Sequence, residues 1–246
     1  MAMAIFLTSS PTGSLDGSYQ VDGLDRSNHF VDNLRSRWKE TMDCMIISAF
    51  PDNYEADDEM TSFFHGAFEK TGLSCGRFDC WDYRSGELTE ETLSSYDVVI
   101  LGGGHVPTEN AYFHALGLRD MILNYSGIII GISAGSMNAA DLVYAQPEEA
   151  GESVDPSYQR WLTGLGLTTT QIIPHYQMVK DHWLDGRRLY EDITYTDSKG
   201  HVFLALVDGS YLMVDHGHEM IYGEAYVIEE GKITKVSGRG DIIPWK

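Results

Sequence analysis

Short apolar runs alternate with amphipathic stretches along the first half of the chain. Ala4–Thr8, Cys44–Phe50, Leu73–Trp81, Asp97–Leu101 and Gly127–Ile132 are runs of strand length, most of them rich in Ile, Val and Leu. Runs this short, bounded by turn residues, predict buried strands. Between them the spacing turns helical. Phe30, Leu34 and Trp38 recur at i, i+4 and i+8 and predict a helix over 28–41. Met60, Phe63, Phe64, Ala67 and Phe68 predict a second over 59–70, stopped by Gly72. The acidic run Glu55–Glu59 suits that helix's N-terminus, where the macrodipole favours negative charge. Residues 112–124 predict a third helix, and the Gly-, Ser- and Asp-rich stretch 9–25 a loop. Strands alternating with helices predict a parallel sheet covered on both faces, with functional groups at the strands' C-terminal ends.

The pattern changes after residue 180. Residues 181–192 read as helical. From Val202 onward the pattern is strand and turn: 202–207, 211–214, 220–222, 225–228 and 233–236. These predict antiparallel hairpins appended to the sheet. His216-Gly217-His218 reads as a hairpin end rather than a metal fragment, because no third ligand stands at suitable spacing. No linker, low-complexity stretch or internal repeat divides the chain. The expectation is one α/β domain over 1–246, three-layered α/β/α, with a mostly parallel sheet and C-terminal antiparallel hairpins.

Charge narrows the choice of partners. The 246 residues carry 17 Lys+Arg against 37 Asp+Glu, a net charge of -20, with no basic block. Such a field repels phosphate backbones and anionic lipid surfaces, so neither nucleic acid nor membrane is an expected partner. Three cysteines, Cys44, Cys75 and Cys80, without a Cys-x-x-Cys pair read as reduced thiols and a cytoplasmic location. The N-terminus lacks a basic segment and reads as a core strand, not a signal peptide. No run approaches the ~18 apolar residues of a membrane span.

The chemistry is concentrated after the fifth apolar run. Gly131-Ile132-Ser133-Ala134-Gly135 is the sequence form of a nucleophile elbow, in which a strand delivers a serine to a sharp turn and a helix leaves it. Serine needs a base, and the base an orienting partner. His175 follows Thr170-Gln171-Ile172-Ile173-Pro174 and is the candidate base. Asp208 ends Phe203–Val207 and is the candidate acid, although Asp208-Gly209 also fits a plain hairpin turn. An oxyanion hole needs two backbone donors. Ala134 N–H supplies one, and Gly103 or Gly104 of the Gly102–Gly104 loop the other. The order Ser, His, Asp differs from the Ser, acid, His order of α/β-hydrolases.

Four blocks occur in order: Leu101-Gly102-Gly103-Gly104, Gly131–Ser136, Ile173-Pro174-His175-Tyr176 and Ala205–Ser210. Together they resemble the peptidase E family of serine peptidases, which comprises aspartyl dipeptidases and, more distantly, cyanophycinases. The resemblance covers nearly the whole chain. It implies the flavodoxin-like fold of class I glutamine amidotransferases and hydrolysis of small peptides, such as dipeptides with N-terminal Asp, without metal or organic cofactor. The family's nucleophile corresponds to Ser133 and its histidine to His175. Its third member is usually a glutamate, one methylene longer than Asp208. Amidotransferases carry cysteine in the elbow, so thiolate glutaminase chemistry is not expected here. The resemblance also implies an arginine for an aspartyl side chain, placed at Arg187 or neighbouring Arg188, with His105 beside the glycine loop a further substrate-binding candidate. The acidic stretch 141–162 departs from the dipeptidases and would suit a basic substrate group, as in cyanophycinase-like enzymes. A catalytically silent binding or regulatory member and a non-peptide amidase or esterase are the alternatives. A homodimer is a possible assembly.

Overall fold

The five early apolar runs form the centre of the protein. A computed structural model describes residues 3–12 and 23–245, so residues 13–22 of the expected loop lie outside the described residues. The strands are β1 (Ala4–Thr8), β2 (Met42–Ile47), β3 (Cys75–Trp81), β4 (Val98–Leu101) and β5 (Ile128–Ile132). They lie parallel in the order β3-β2-β4-β5-β1. Four helices connect them: α1 (Phe30–Arg35), α2 (Tyr54–Thr71), α3 (Glu90–Ser94) and α4 (Val106–Ala115), with α5 (Leu118–Ile122) continuing from α4. The short α6 (Ala134–Asn138) leaves β5.

Alternation along the strands builds two cores. Ala4, Phe6, Cys44, Ile46, Val98, Ile100, Ile128 and Ile130 pack beneath α1 and α2 with Phe30, Leu34, Phe64 and Phe68. Ile5, Leu7, Met45, Ile47, Val99, Leu101 and Ile129 face the other way, onto α4 and α5 through Phe113, Leu118 and Ile122. Both faces are therefore covered, as a parallel sheet requires.

The second half adds β6 (Leu142–Tyr144), β7 (Trp161–Thr163), β8 (Gln171–Ile173), α7 (Tyr176–Val179), β9 (Trp183–Leu184) and β10 (Arg187–Arg188). A π-helical turn (Leu189–Thr194) and α8 (Tyr195–Asp197) follow. The chain ends in β11 (Val202–Leu206), β12 (Tyr211–Asp215), β13 (His218–Tyr222), β14 (Ala225–Glu229), β15 (Lys232–Ser237) and β16 (Ile242–Pro244). These late strands divide between two sheets. β12, β13 and β16 extend the main sheet antiparallel from β1, giving eight strands. β15, β14, β11 and β8 form a second sheet, with β8 and β11 parallel. Its Ile172, Leu204, Leu206 and Ala225 close the core over the α4–α5 face. The result is a mixed α/β protein with a large, mostly parallel central sheet plus antiparallel strands.

Three expected elements differ. The helix over 28–41 covers only Phe30–Arg35. The helix over 112–124 is two helices broken at Gly117, whose φ of +63° is left-handed. The helix over 181–192 is a β9–β10 hairpin followed by the π-helical turn. Asp185 (φ +51°) and Gly186 (φ +77°) form the hairpin turn, the Asp-Gly pairing that a tight two-residue turn requires. His216 (φ +50°) and Gly217 (φ +79°) turn the chain between β12 and β13. No helix among the described residues is long and apolar enough to cross a membrane.

Candidate active site

β5 carries Ser133 to the C-terminal edge of the main sheet. Ser133 has φ 51° and ψ -110°, a backbone state that L-residues avoid and that surrounding structure must hold. Its N–H donates to Thr8 O (3.1 Å). The flanking glycines are sterically required. A Cβ on Gly131 would lie 2.8 Å from Ser136 Oγ, and one on Gly135 would lie 2.6 Å from Gly102 O. With both glycines, α6 packs directly on the ends of β4 and β5.

The second sheet delivers the partners. His175 follows β8 and Pro174 in a left-handed conformation (φ 57°, ψ 29°). Asp208 follows β11. Because β8 and β11 are adjacent and parallel, their C-terminal ends lie side by side. His175 Nε2 is 2.9 Å from Ser133 Oγ, and His175 Nδ1 is 2.6 Å from Asp208 Oδ1. In the tautomer this network favours, Nδ1–H donates to Asp208 and Ser133 O–H donates to Nε2. The His175 side chain is 29% exposed and that of Asp208 only 1%. Burial raises the Asp208 carboxyl. The hydrogen bond and charge of His175, with the hydrogen bond from Ser9, outweigh burial and hold it below the usual value. The chain Asp208–His175–Ser133 can therefore remove a proton from the serine and keep the resulting imidazolium charge-balanced.

Ser9 joins this network. It follows β1 and is fully buried. Its hydroxyl donates to Asp208 Oδ1 (2.7 Å) and accepts from His175 N–H (2.8 Å). Sequence reasoning missed it, because Ser9 stands in a serine-rich loop with no motif around it. Its one signal is position, directly after the strand that neighbours β5.

The Gly102–Gly104 loop follows β4. A Cβ on Gly103 would approach Ser133 Cβ to 3.5 Å, and one on Gly104 would lie 2.5 Å from Phe50 Cζ. The N–H groups of Gly103, Gly104 and Ala134 make no hydrogen bond with another backbone group among the described residues. A cleft of about 140 Å³ opens over Ser133 and His175, lined also by Gly104, Val106, Met137 and Glu148. Among the described residues, no Lys or Arg lines it.

The structure places the other candidates outside this cleft. Arg187 is exposed and donates from Nη1 to Ser153 O (3.2 Å). Arg188 pairs with Asp192 (2.7 Å). His105 Nε2 lies 2.7 Å from Glu152 Oε1, and its Nδ1 lies 2.7 Å from Thr108 Oγ1. Two groups of donor atoms are compact enough to hold a cation: Asp57, Cys80 and Asp82, and His105, Glu149 and Glu152. Neither includes a member of the Ser133 network. In the second, the His105 ring already bonds through both nitrogens.

Comparison with known proteins agrees with this fold. The sequence profile described as Peptidase family S51 matches residues 20–221. No curated protein matches the chain. Among solved structures, the chain is similar to a peptidase from an acI-B1 Actinobacterium. The TM-score is 0.69 at 15% identity, covering 100% of this chain and 98% of that one. It is also similar to a putative peptidase E protein from Listeria monocytogenes EGD-e. There the TM-score is 0.53 at 17% identity, covering 96% of this chain and 98% of that one. The profile spans most of the sequence, and the chain belongs to peptidase family S51, the serine-type peptidases of the peptidase E family.

Proposed function

We propose that Ser133, His175 and Asp208 form the catalytic triad of a small-peptide hydrolase. The observation that carries this reading is the unbroken hydrogen-bonded chain from Asp208 through His175 to Ser133. Ser133 Oγ attacks the scissile carbonyl carbon, and its proton passes to His175 Nε2. The oxyanion is received by the N–H of Ala134 and of Gly103 or Gly104. Collapse of the tetrahedral species expels the amine, which takes the proton from His175. Water then hydrolyses the acyl-Ser133 ester with the same groups in the same roles. Asp208, one methylene shorter than glutamate, keeps the imidazole oriented because Ser9 and His175 both hold its Oδ1. The short contact between Ser133 and His175 argues against a silent member of the fold.

The substrate class follows from the cleft. Its small volume suits a short peptide. An acidic first residue requires a cation near the scissile bond, and Arg187 would have to leave Ser153 O to supply it. Dipeptides with N-terminal Asp, their β-linked isomers and peptides with basic residues are the arms that distinguish these choices.

The test is active-site labelling with a fluorophosphonate beside hydrolysis of that panel. The wild type should label, and Ser133→Ala should lose labelling and more than about 10⁴-fold in kcat. Labelling that survives Ser133→Ala would overturn the assignment.

A further inference from the structure

The far edge of the main sheet carries buried polar groups that the peptidase site does not use. Asp57 in α2 is 0% exposed, and Asp82, just past β3, is 1% exposed. Ser48, directly after β2, donates its hydroxyl to Asp57 Oδ1 (2.6 Å). Asp57 Oδ2 is buried and has no hydrogen-bond partner among the described residues. An enclosed carboxylate oxygen without a donor is costly, and such groups call for an explanation. Asp57 stands in a group with Cys80 and Asp82, each offering one donor atom. The donor atoms of the three residues lie within 4.8 Å of one another. The Tyr112 hydroxyl is a second buried group without a partner. Burial raises its pKa, and the charges of Asp82, Cys80 and Asp57 add to the rise.

We propose that Asp57, Cys80 and Asp82 form a binding site for a divalent cation of the zinc class. Two carboxylates and one thiolate are a borderline donor set, suited to such a cation rather than to calcium or magnesium. The supporting contacts are those of a metal site. Ser48 holds Asp57 through Oδ1. Arg84 holds Asp82, with Nε on Oδ2 (2.9 Å) and its backbone N–H on Oδ1 (2.8 Å). Such outer contacts orient ligands and tune their affinity. An entry path exists. Cys80, Asp82 and Arg84 line an open depression of about 470 Å³. On binding, the Cys80 S–H bond breaks, a metal–sulfur bond forms, and the proton leaves to solvent. The cation also relieves the repulsion between Asp57 and Asp82. The site lies at the C-terminal ends of parallel strands, where open α/β sheets bind ligands.

The test is a titration of the full-length, thiol-reduced protein with Co²⁺, followed by displacement with Zn²⁺. The expected result is a saturable near-ultraviolet thiolate-to-cobalt absorption that Zn²⁺ bleaches. Cys80→Ser should abolish it and Cys75→Ser should leave it. Ser48→Ala keeps every ligand and should weaken Co²⁺ binding about 10–100-fold, with circular dichroism reporting an intact fold. No thiolate band in the wild type, or a band that persists in Cys80→Ser, would overturn the site.

Discussion

Ser9 joins two parts of the proposed catalytic network at one hydroxyl. It is a donor to Asp208 and an acceptor for the His175 N–H, and its own N–H donates to Ser210 O (3.1 Å). Ser9→Ala removes one of the donors that hold the Asp208 charge and leaves a backbone N–H without its partner. A hydrogen bond to a charged group contributes about 1.5–3 kcal/mol. Converted at about 1.4 kcal/mol per decade, that predicts a roughly 10–100-fold loss of kcat with little change in KM. Steady-state kinetics on any substrate the wild type cleaves would check it. A rise in KM at unchanged kcat would place Ser9 in substrate binding instead. At this scale the sequence was most legible where chemistry forces a motif. Ser133 is marked by glycines that no other residue can replace, and His175 and Asp208 by the strands they terminate. Ser9 acts through a hydroxyl that many loop serines carry, and only folding brings it to residues 175 and 208. Arg187 and Arg188 are the converse. Their sequence position suggested a substrate cation, and the β9–β10 hairpin turns them toward Ser153 and Asp192.

At the scale of elements, α4 and α6 are joined by buried polar contacts rather than by apolar packing alone. Asn138 Nδ2 donates to Val106 O (3.1 Å) and to Glu109 Oε2 (2.8 Å), and Asn110 Nδ2 donates to Asn138 Oδ1 (2.9 Å). Glu109 is 0% exposed. Burial raises its carboxyl pKa well above the usual carboxylate range, and the Asn138 bond offsets part of that. The folded protein thus keeps a proton that the unfolded chain releases. Above the unfolded pKa the unfolded state binds fewer protons, so this group's contribution falls as pH rises until the buried carboxyl ionises. Glu109→Gln removes that dependence. Between about pH 4 and pH 8 its urea midpoint should decline less than that of the wild type. An equal decline in both proteins would show that the buried carboxyl does not titrate in this range. The same scale holds the main misreading. Residues 181–192 read as helical, yet Asp185-Gly186 supplies a hairpin turn.

For the molecule as a whole, alternation of strand and helix made the parallel sheet legible, and the apolar runs β1, β2, β4 and β5 lie where the pattern puts them. Partition of the late hairpins between two sheets was not legible. It depends on pairings such as β1 with β12 and β8 with β11, which join residues far apart in sequence. Net charge acts at this scale too. With 37 acidic against 17 basic side chains, the folded chain repels itself. Raising NaCl from about 0.01 M to 1 M shortens the screening length from about 30 Å to 3 Å. The thermal midpoint should therefore rise over this range. A fall would mean that ion pairs such as Arg84–Asp58 and Arg160–Asp197 outweigh the repulsion.

The proposed nucleophile, Ser133, belongs to the main sheet, while its proposed base and acid arrive on the second. During synthesis, a chain still short of residue 208 carries an elbow serine with no complete relay to deprotonate it. On that proposal, the relay is complete only when the second sheet has docked and the Ser9 hydroxyl bonds both Asp208 and His175. The proposed relay would thus be assembled by the same event that completes the fold.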